Sequence, residues 1–263
     1  MLIRPLSRPD LPAVSQITHR AFSHDELFTW LYPHQDKYPD DLRRYQLIRL
    51  RTRLVQKGSH GFVAESEEGD AEWSGKPEIL GFAFYIRGGR DEKAERWRED
   101  GWFESMFSGL KDSGVDTQAE LERSLLSWEI WYEETFLAHA SSPANLRLFR
   151  QASDYKFYSL LPSYWHLGLL GIDPKFQRRG IGAKLVRFGQ DIAREEQVPV
   201  TLEASVMGRG LYAKLGFLVV EESAIVEGLD GVAMVWEPVG REGRWLVRGE
   251  RGKGEVKMGL KVM

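Results

Sequence analysis

The stretch His166–Ala183, H-L-G-L-L-G-I-D-P-K-F-Q-R-R-G-I-G-A, decides the fold. Its mainly apolar first half predicts a strand, which ends at the turn Asp173-Pro174. A basic segment then leads through Gly180-Ile181-Gly182 into a helix. The helix is indicated by one apolar face, since hydrophobic residues recur at spacings of four, three and four: Ile181, Leu185, Phe188 and Ile192.

A strand that enters a helix through a basic, glycine-containing turn favours binding of a phosphate group. The first N–H groups of a helix have no partner within it, and the helix dipole is positive at that end. Gly180 and Gly182 would let a ligand approach the backbone without interference from a Cβ atom. Neither the P-loop motif nor the dinucleotide motif G-x-G-x-x-G is present in this turn.

The order Gln177-x-x-Gly180-x-Gly182 resembles the pyrophosphate-binding signature of the GNAT superfamily, the acetyl-CoA-dependent N-acetyltransferases. A second block follows at the spacing of that family, consisting of Val200–Ser205 and Gly208–Phe217. The resemblance covers residues 163–238, and the N-terminal third resembles the family only in its pattern of elements. It implies an α/β (α+β) fold with a mixed, splayed central sheet flanked by helices.

The rest of the chain fits such a sheet. Alternating and apolar runs predict strands at Leu2–Leu6, Gly61–Ser66, Glu78–Arg87, Pro199–Ser205, Phe217–Ala224 and Val232–Glu237. Periodicity predicts helices over Leu11–Phe22 and from Asp40 to about Lys57, with Asp10 and Asp40 as their N-caps. The second helix carries arginines that favour a solvated face over a phosphate site: Arg43, Arg44, Arg49, Arg51 and Arg53.

Residues 88–160 predict a helical insertion between the third and fourth strands, forming a lid or a dimer surface. Apolar residues at helical spacing are interpreted as the core of this insertion: Leu121, Leu125, Trp128, Tyr132 and Phe136. Upstream, Phe28, Trp30 and Tyr32 could line a pocket, although packing of a short helix onto the core is the favoured interpretation.

Composition limits the possible functions. The chain has 263 residues, 42% of them hydrophobic, with a net charge of −3, which gives no electrostatic case for nucleic acid or membranes as partners. It has no cysteine, which excludes disulfides, a cysteine acyl-enzyme and thiolate metal ligands. No signal-peptide core or membrane span is evident, so we expect a cytoplasmic protein, monomeric or homodimeric. We expect one domain over 1–239 and a basic, glycine-rich tail over 240–263, with small strands possible at 245–247 and 254–263.

The resemblance implies a set of residues that bind acetyl-CoA, and no metal is expected. Backbone N–H groups of the turn would hold the pyrophosphate, and strand edge groups would pair with the pantetheine arm and stabilise the oxyanion. The implied residues are Leu170, Gly171, Ile172, Gln177, Arg178, Arg179, Gly180, Ile181, Gly182, Ala183, Ser205, Gly208, Leu211 and Tyr212.

Three side chains are candidates for catalysis. The resemblance implies that Tyr212 protonates the departing thiolate of CoA. His166 occupies a position similar to that of a histidine in aralkylamine N-acetyltransferases, and Gly168 stands where those enzymes carry a second histidine. His166 could therefore serve as the base, with Glu203 as its rival, and ordered water without a dedicated base is a third option.

The resemblance implies direct acetyl transfer from acetyl-CoA to a primary amine in a ternary complex, and an aromatic-rich, covered cleft favours a small molecule as the acceptor. Two alternatives remain open. One is acetylation of a protein or peptide, and the other is a non-catalytic acyl-CoA sensor. The sequence does not identify the acceptor, the oligomeric state or the roles of the insertion and the tail.

Overall fold

The computed structural model describes residues 1–99, 117–249 and 253–257, with the side chains of 117–119 excepted. Their centre is a seven-stranded sheet in the order β1-β2-β3-β4-β5-β7-β6. The bounds are β1 Leu2–Pro5, β2 Ser59–Glu65, β3 Ile79–Gly89, β4 Ser163–Ile172, β5 Val200–Ala204, β6 Leu218–Val226 and β7 Leu229–Trp236. All neighbouring strands are antiparallel except β4 and β5, so the mixed sheet predicted from the sequence is confirmed.

Helices cover both faces of this sheet. They are α1 Leu11–Phe22, α2 Glu26–Leu31, α3 Pro39–Val55, α4 Glu92–Arg96, α5 Thr117–Tyr132, α6 Pro143–Ala152, α7 Ile181–Glu196 and α8 Arg209–Lys214. Apolar residues of α1 and α3, such as Val14 and Leu50, pack against Phe82 and Phe84 on one face. On the other face, Leu185 of α7 packs among Tyr85 and Trp165. The sheet is therefore buried between two apolar layers.

Helix α7 approaches the sheet closely at one glycine. A Cβ atom on Gly189 would overlap the ring of Tyr85 on β3. The Tyr85 hydroxyl donates a hydrogen bond to the carbonyl oxygen of Leu185 at 3.1 Å. Because Tyr85 is fully buried, its polar end needs this partner. Gly189 thus determines how closely α7 lies on the sheet.

Two predicted helix caps are wrong. The carboxylate of Asp10 does not cap α1, because it accepts hydrogen bonds from the guanidinium of Arg4 at 2.8 and 2.9 Å and from the backbone N–H of Ser7 at 2.8 Å. Helix α3 begins at Pro39, so Asp40 lies inside its first turn and makes no cap bond. Proline suits that first position because it needs no N–H partner there.

The helical insertion is confirmed for its described part, which comprises α4, α5, α6, a π-helical turn over Glu133–Leu137 and a 3-10 turn over Lys156–Leu160. The predicted core stripe is wrong. Its five residues are exposed by 51 to 69%. Helix α5 instead buries Leu126, which packs with Ile48 and Val55 of α3. With two apolar faces on one helix, periodicity could not tell which one is buried.

The C-terminal segment packs onto the insertion and the sheet. Strands β8 (Leu246–Arg248) and β9 (Gly254–Val256) form a separate pair, and residues 250–252 and 258–263 of the expected tail lie outside the described chain. Trp245 and Leu246 are buried with Phe157 and Val235. The buried carboxylate of Glu237 accepts hydrogen bonds from three backbone N–H groups, those of Gly243, Trp245 and Leu246, at 2.7 to 3.0 Å.

Candidate active site

Strands β4 and β5 separate after a short paired region. Only Trp165, His166 and Leu167 pair with β5, through Val200, Thr201 and Leu202. Beyond that point β4 pairs with β3 and β5 pairs with β7, and no described residue pairs across the gap. The splayed sheet is thus confirmed. The wedge leaves backbone groups of β4 available to an extended ligand, and Leu170, Gly171 and Ile172 lie along it.

A β-bulge marks the start of the wedge. Phe84 pairs with Leu169 and the next residue, Tyr85, pairs with Leu167, so Gly168 is the extra residue on β4. A Cβ atom on Gly168 would lie 2.9 Å from Nη1 of Arg53, a residue of α3. His166 and Gly168 therefore share the α1/α3 face, whereas Trp165 and Leu167 contact the α7 layer.

The turn after β4 has the conformation that an anion site needs. Arg178 has φ of +63° and Gly180 has φ of +82°, both in the left-handed region. The first helical bond runs from the N–H of Lys184 to the carbonyl oxygen of Gly180 at 3.0 Å. The N–H groups of Ile181, Gly182 and Ala183 thus have no partner within the helix, and they lie beside the open wedge.

Side chains around this turn leave it accessible. Arg178 and Gly180 are exposed, and nothing lies within 4 Å of a Cβ atom built on Gly180. Arg179 approaches Glu72 at 3.5 Å, a long ion pair between an exposed arginine and a partly buried carboxylate. The amide of Gln177 donates to the carbonyl oxygen of Ile172 at 3.3 Å, which ties the turn to the end of β4. The turn is therefore held in part by a contact within the protein.

Helix α8 contributes the remaining predicted cofactor residues. The Ser205 hydroxyl accepts a hydrogen bond from the N–H of Gly208 at 3.2 Å, which shapes the loop before the helix. Leu211 lies against Gly182, with a methyl group 3.5 Å from the position of a Cβ atom there. Tyr212 is buried, with its ring 5.8 Å from that of Phe217. Burial raises the pKa of Tyr212 to about 12, so the phenol keeps its proton at neutral pH.

His166 is the centre of a polar network. Its Nδ1 atom lies 3.2 Å from the hydroxyl of Tyr158 and 3.1 Å from that of Thr201. Tyr158 donates its proton to Oε1 of Glu203 at 3.2 Å, and Thr201 donates to the carbonyl oxygen of Trp165 at 3.4 Å. Both hydroxyl oxygens are then acceptors, so Nδ1 carries the ring proton and Nε2 keeps its lone pair. The Nε2 atom lies on the side of Gly168.

The surroundings perturb the ionisation of this network. Burial and the positive charge of Arg53 lower the pKa of His166 to about 4, so its ring is neutral at pH 7. The pKa of Glu203 is raised, because partial loss of water outweighs the hydrogen bond from Tyr158. The two bases that the sequence offered as rivals, His166 and Glu203, are thus joined through one phenol.

Sequence reasoning missed three residues of this arrangement. Tyr158 comes from the end of the insertion, and no motif distinguishes it from the aromatic residues around it. Thr201 has the alternation of any strand residue. Arg53 was assigned to a solvated face, yet the structure makes it half-buried over β4. Only its position on the arginine-rich face of α3 could have marked it.

Residues of the aromatic-rich segment before α3 differ in their surroundings, because one packs on another ring and one lines a cavity. Phe28 stacks on Phe22 at 5.2 Å, as the favoured interpretation expected. Tyr32 lines a cavity of about 280 Å³ together with Tyr45 and Glu133. This cavity lies near the start of α3, whereas Arg53 lies near its end. Among the described residues, no group of three or more His, Asp or Glu side chains could hold a metal ion, and no helix is long and apolar enough to cross a membrane.

The splayed sheet and the left-handed turn into α7 agree with the fold that the resemblance to N-acetyltransferases implied. Residues 134–238 match the family model described as acetyltransferase (GNAT) domain. This match supports, over that region, the resemblance to the GNAT superfamily that the sequence motifs carry.

Comparison with known proteins finds a solved structure with a TM-score above 0.5, and it supports the fold. A structure from Corynebacterium glutamicum described as histone acetyltransferase HPA2 and related acetyltransferase is 18% identical, with a TM-score of 0.51, over 90% of this chain and 96% of that one. A mosquito arylalkylamine N-acetyltransferase like 5b is 15% identical, with a TM-score of 0.47, over 90% and 99%. A probable acyltransferase SID5 of Ajellomyces capsulatus is 41% identical over 51 residues, 19% of this chain. The match spans only 38% of that curated relative.

Proposed function

We propose that this protein transfers an acetyl group from acetyl-CoA directly to a primary amine of a small molecule, in a ternary complex in the cytoplasm. We infer that residues 1–239 act as one catalytic domain. The observation that carries the proposal is the placement of two unlike sites on opposite sides of β4. An anion-ready turn and an open wedge lie toward α7, and a polar network with a free histidine lone pair lies toward α3.

The residues present fit acetyl-CoA. Free N–H groups at Ile181, Gly182 and Ala183 suit a pyrophosphate, and Arg178 and Arg179 add positive charge. Edge groups of Leu170, Gly171 and Ile172 suit an amide-containing arm, because they can pair with it as a strand would. Ser205 and Gly208 of the loop before α8 and Leu211 of α8 would complete the binding surface, since Leu211 lies against Gly182. Acetyl-CoA supplies a thioester whose carbonyl carbon an amine can attack.

His166 and its network are suited to remove a proton from the acceptor. An alkylammonium with a pKa of about 10 must lose a proton before its nitrogen can attack. When Nε2 of His166 takes that proton, Nδ1 can release its own to Tyr158, which passes its proton to Glu203. This relay avoids a lasting positive charge on a ring already held at low pKa by burial and by Arg53. Glu203, with its raised pKa, is the final proton acceptor.

Tyr212 is the candidate that assists the leaving group. The pKa of about 12 makes full proton transfer to a thiolate unfavourable, since an ordinary thiol has a pKa of about 8.5. A phenol that stays protonated can still donate a hydrogen bond to sulfur as the carbon–sulfur bond breaks. The thiolate then takes its proton from water.

The test is thiol release from acetyl-CoA with a panel of small amines, compared with a Tyr212→Phe variant. We expect turnover with at least one small amine and roughly 100-fold lower kcat in the variant, the size of a lost hydrogen bond to a developing negative charge. Tyr164→Phe is the control, because it removes a phenol hydroxyl from β4 that belongs neither to α8 nor to the relay. Turnover only with peptides would replace the small acceptor by a protein, and CoA binding without any turnover would favour the sensor.

A further inference from the structure

Arg53 extends over the acceptor side of β4 without a carboxylate to balance it. The other arginines of the α3 face each have an acidic partner within 4 Å: Arg43 with Asp40, Arg44 with Asp41, Arg49 with Glu134 and Arg51 with Glu129. In the described chain, Arg53 forms no ion pair or hydrogen bond. Its guanidinium instead lies at the position that a side chain on Gly168 would fill.

The surroundings of Arg53 make this isolation costly. Loss of water, and the nearby charge of Arg49, lower the pKa of its guanidinium. An unpaired cation in a partly dry site is unfavourable unless an anion joins it. The acidic group across the site, Glu203, already accepts the hydrogen bond of Tyr158. The anionic partner of Arg53 is therefore expected in a bound molecule.

We propose that Arg53 binds a carboxylate of the acceptor, so that the acceptor is an amino acid or another amine that carries an acid group. This inference rests on the proposed function. A guanidinium presents paired N–H donors that match the two oxygens of one carboxylate, and one negative charge balances it. Gly168 leaves room for the guanidinium itself beside β4, and His166 lies next to it to receive the proton of the amine.

The geometry also separates the two charges of such an acceptor. Its ammonium group would lie toward the His166–Tyr158–Glu203 network, where negative charge is available. Its carboxylate would lie toward Arg53 and the end of α3. An acceptor without an acid group would leave the guanidinium unpaired in the closed site. The site would therefore bind an acceptor with a carboxylate more tightly than one without, by the free energy of leaving the guanidinium unpaired.

The experiment compares acceptors that differ only in a carboxylate: phenylalanine with 2-phenylethylamine, and ornithine with 1,4-diaminobutane. We expect wild-type kcat/KM to be higher for the amino acid of at least one pair. Arg53→Gln should lower kcat/KM for that amino acid roughly 10- to 100-fold, as for loss of a charge-assisted hydrogen bond, and change the matched amine less than about threefold. Arg51→Gln is the control, because it changes an arginine on the same helix that pairs with Glu129.

Two results would overturn the inference. One is an equal loss of kcat/KM in Arg53→Gln for both members of each pair, together with a higher KM for acetyl-CoA. That result would assign Arg53 to the cofactor. The other is equal use of both members by the wild type. If no acceptor is turned over, the proposed function fails, and binding decides the inference separately. Calorimetry with CoA present should then give weaker binding of N-acetylphenylalanine to Arg53→Gln than to wild type, and equal binding would reject the role of Arg53.

Discussion

The two sides of β4 are built in different ways. On the cofactor side, the turn, the glycines and the start of α7 are consecutive in the chain, so local backbone conformation creates most of the site. On the acceptor side, the side chains come from four elements and three distant parts of the chain: Arg53 from α3, Tyr158 and His166 from the end of the insertion and the start of β4, and Glu203 from β5. The first kind of site depends on backbone geometry, and the second depends on how separate layers pack.

The largest effect should come from disturbing the seat of α7. Gly189→Ala places a methyl group in the ring of Tyr85, and we expect a loss of about 3 kcal/mol in the free energy of unfolding from overpacking. This loss should exceed the gain of about 1 kcal/mol that alanine brings to a helix. Urea unfolding provides the measurement.

Gly210→Ala is the matched control for that substitution. Gly210 lies in α8 with nothing within 4 Å of an added Cβ, so its variant should be as stable as wild type or slightly more stable. If Gly189→Ala kept wild-type stability, Tyr85 would be able to move aside. The packing of α7 on the sheet would then not fix the cofactor side.

A smaller effect should follow from breaking the acceptor network alone. Tyr158→Phe removes the hydroxyl between His166 and Glu203 but keeps the ring, which packs 4.2 Å from that of Phe157. We expect kcat to fall roughly 10- to 100-fold, with CoA affinity and urea stability nearly unchanged. Steady-state kinetics and calorimetry with CoA test this separation. An equal loss of CoA affinity would mean that the two sides of β4 are not independent.

The smallest effect should be the response to mild acid. His166 has a pKa of about 4 in the folded protein against 6.5 as its ordinary value, so it stays neutral from pH 8 to about 5.5. After correction for protonation of the amine, kcat/KM should be flat over that range and fall below it. A break between pH 6 and 7 in the pH–rate profile would contradict a depressed pKa.

The same depression predicts the sign of the pH dependence of stability. Between pH 6.5 and 4 the unfolded chain binds a proton at this histidine that the folded protein does not bind. The free energy of unfolding should therefore decrease as pH falls through that window. His60, which is buried with a pKa also lowered to about 4 by burial, should add to the effect.

The difference between the two sides explains what could be predicted from the sequence. The individual strands, the bounds of α1 and the turn at Gly180 follow from local periodicity and glycine spacing, and the mixed, splayed sheet was implied by the resemblance; the structure agrees with them. The exposed stripe around Trp128 was assigned to the core because both faces of α5 are apolar. The roles proposed for Arg53 and Tyr158 depend on tertiary contacts that no sequence spacing encodes. The sequence therefore did not predict the link between His166 and Glu203, although it indicated both residues as candidates.

The packing of the C-terminal segment has a consequence for the order of folding. The 3-10 turn Lys156–Leu160 carries Tyr158 and buries Phe157 against Trp245 and Leu246. The carboxylate of Glu237 accepts hydrogen bonds from the backbone N–H groups of Trp245 and Leu246. Contacts between segments so far apart in the chain form slowly, because a long loop must close first. During synthesis the turn at Gly180 emerges well before Trp245. A nascent chain could thus form the turn at Gly180 before the contacts that position the proposed proton relay are made.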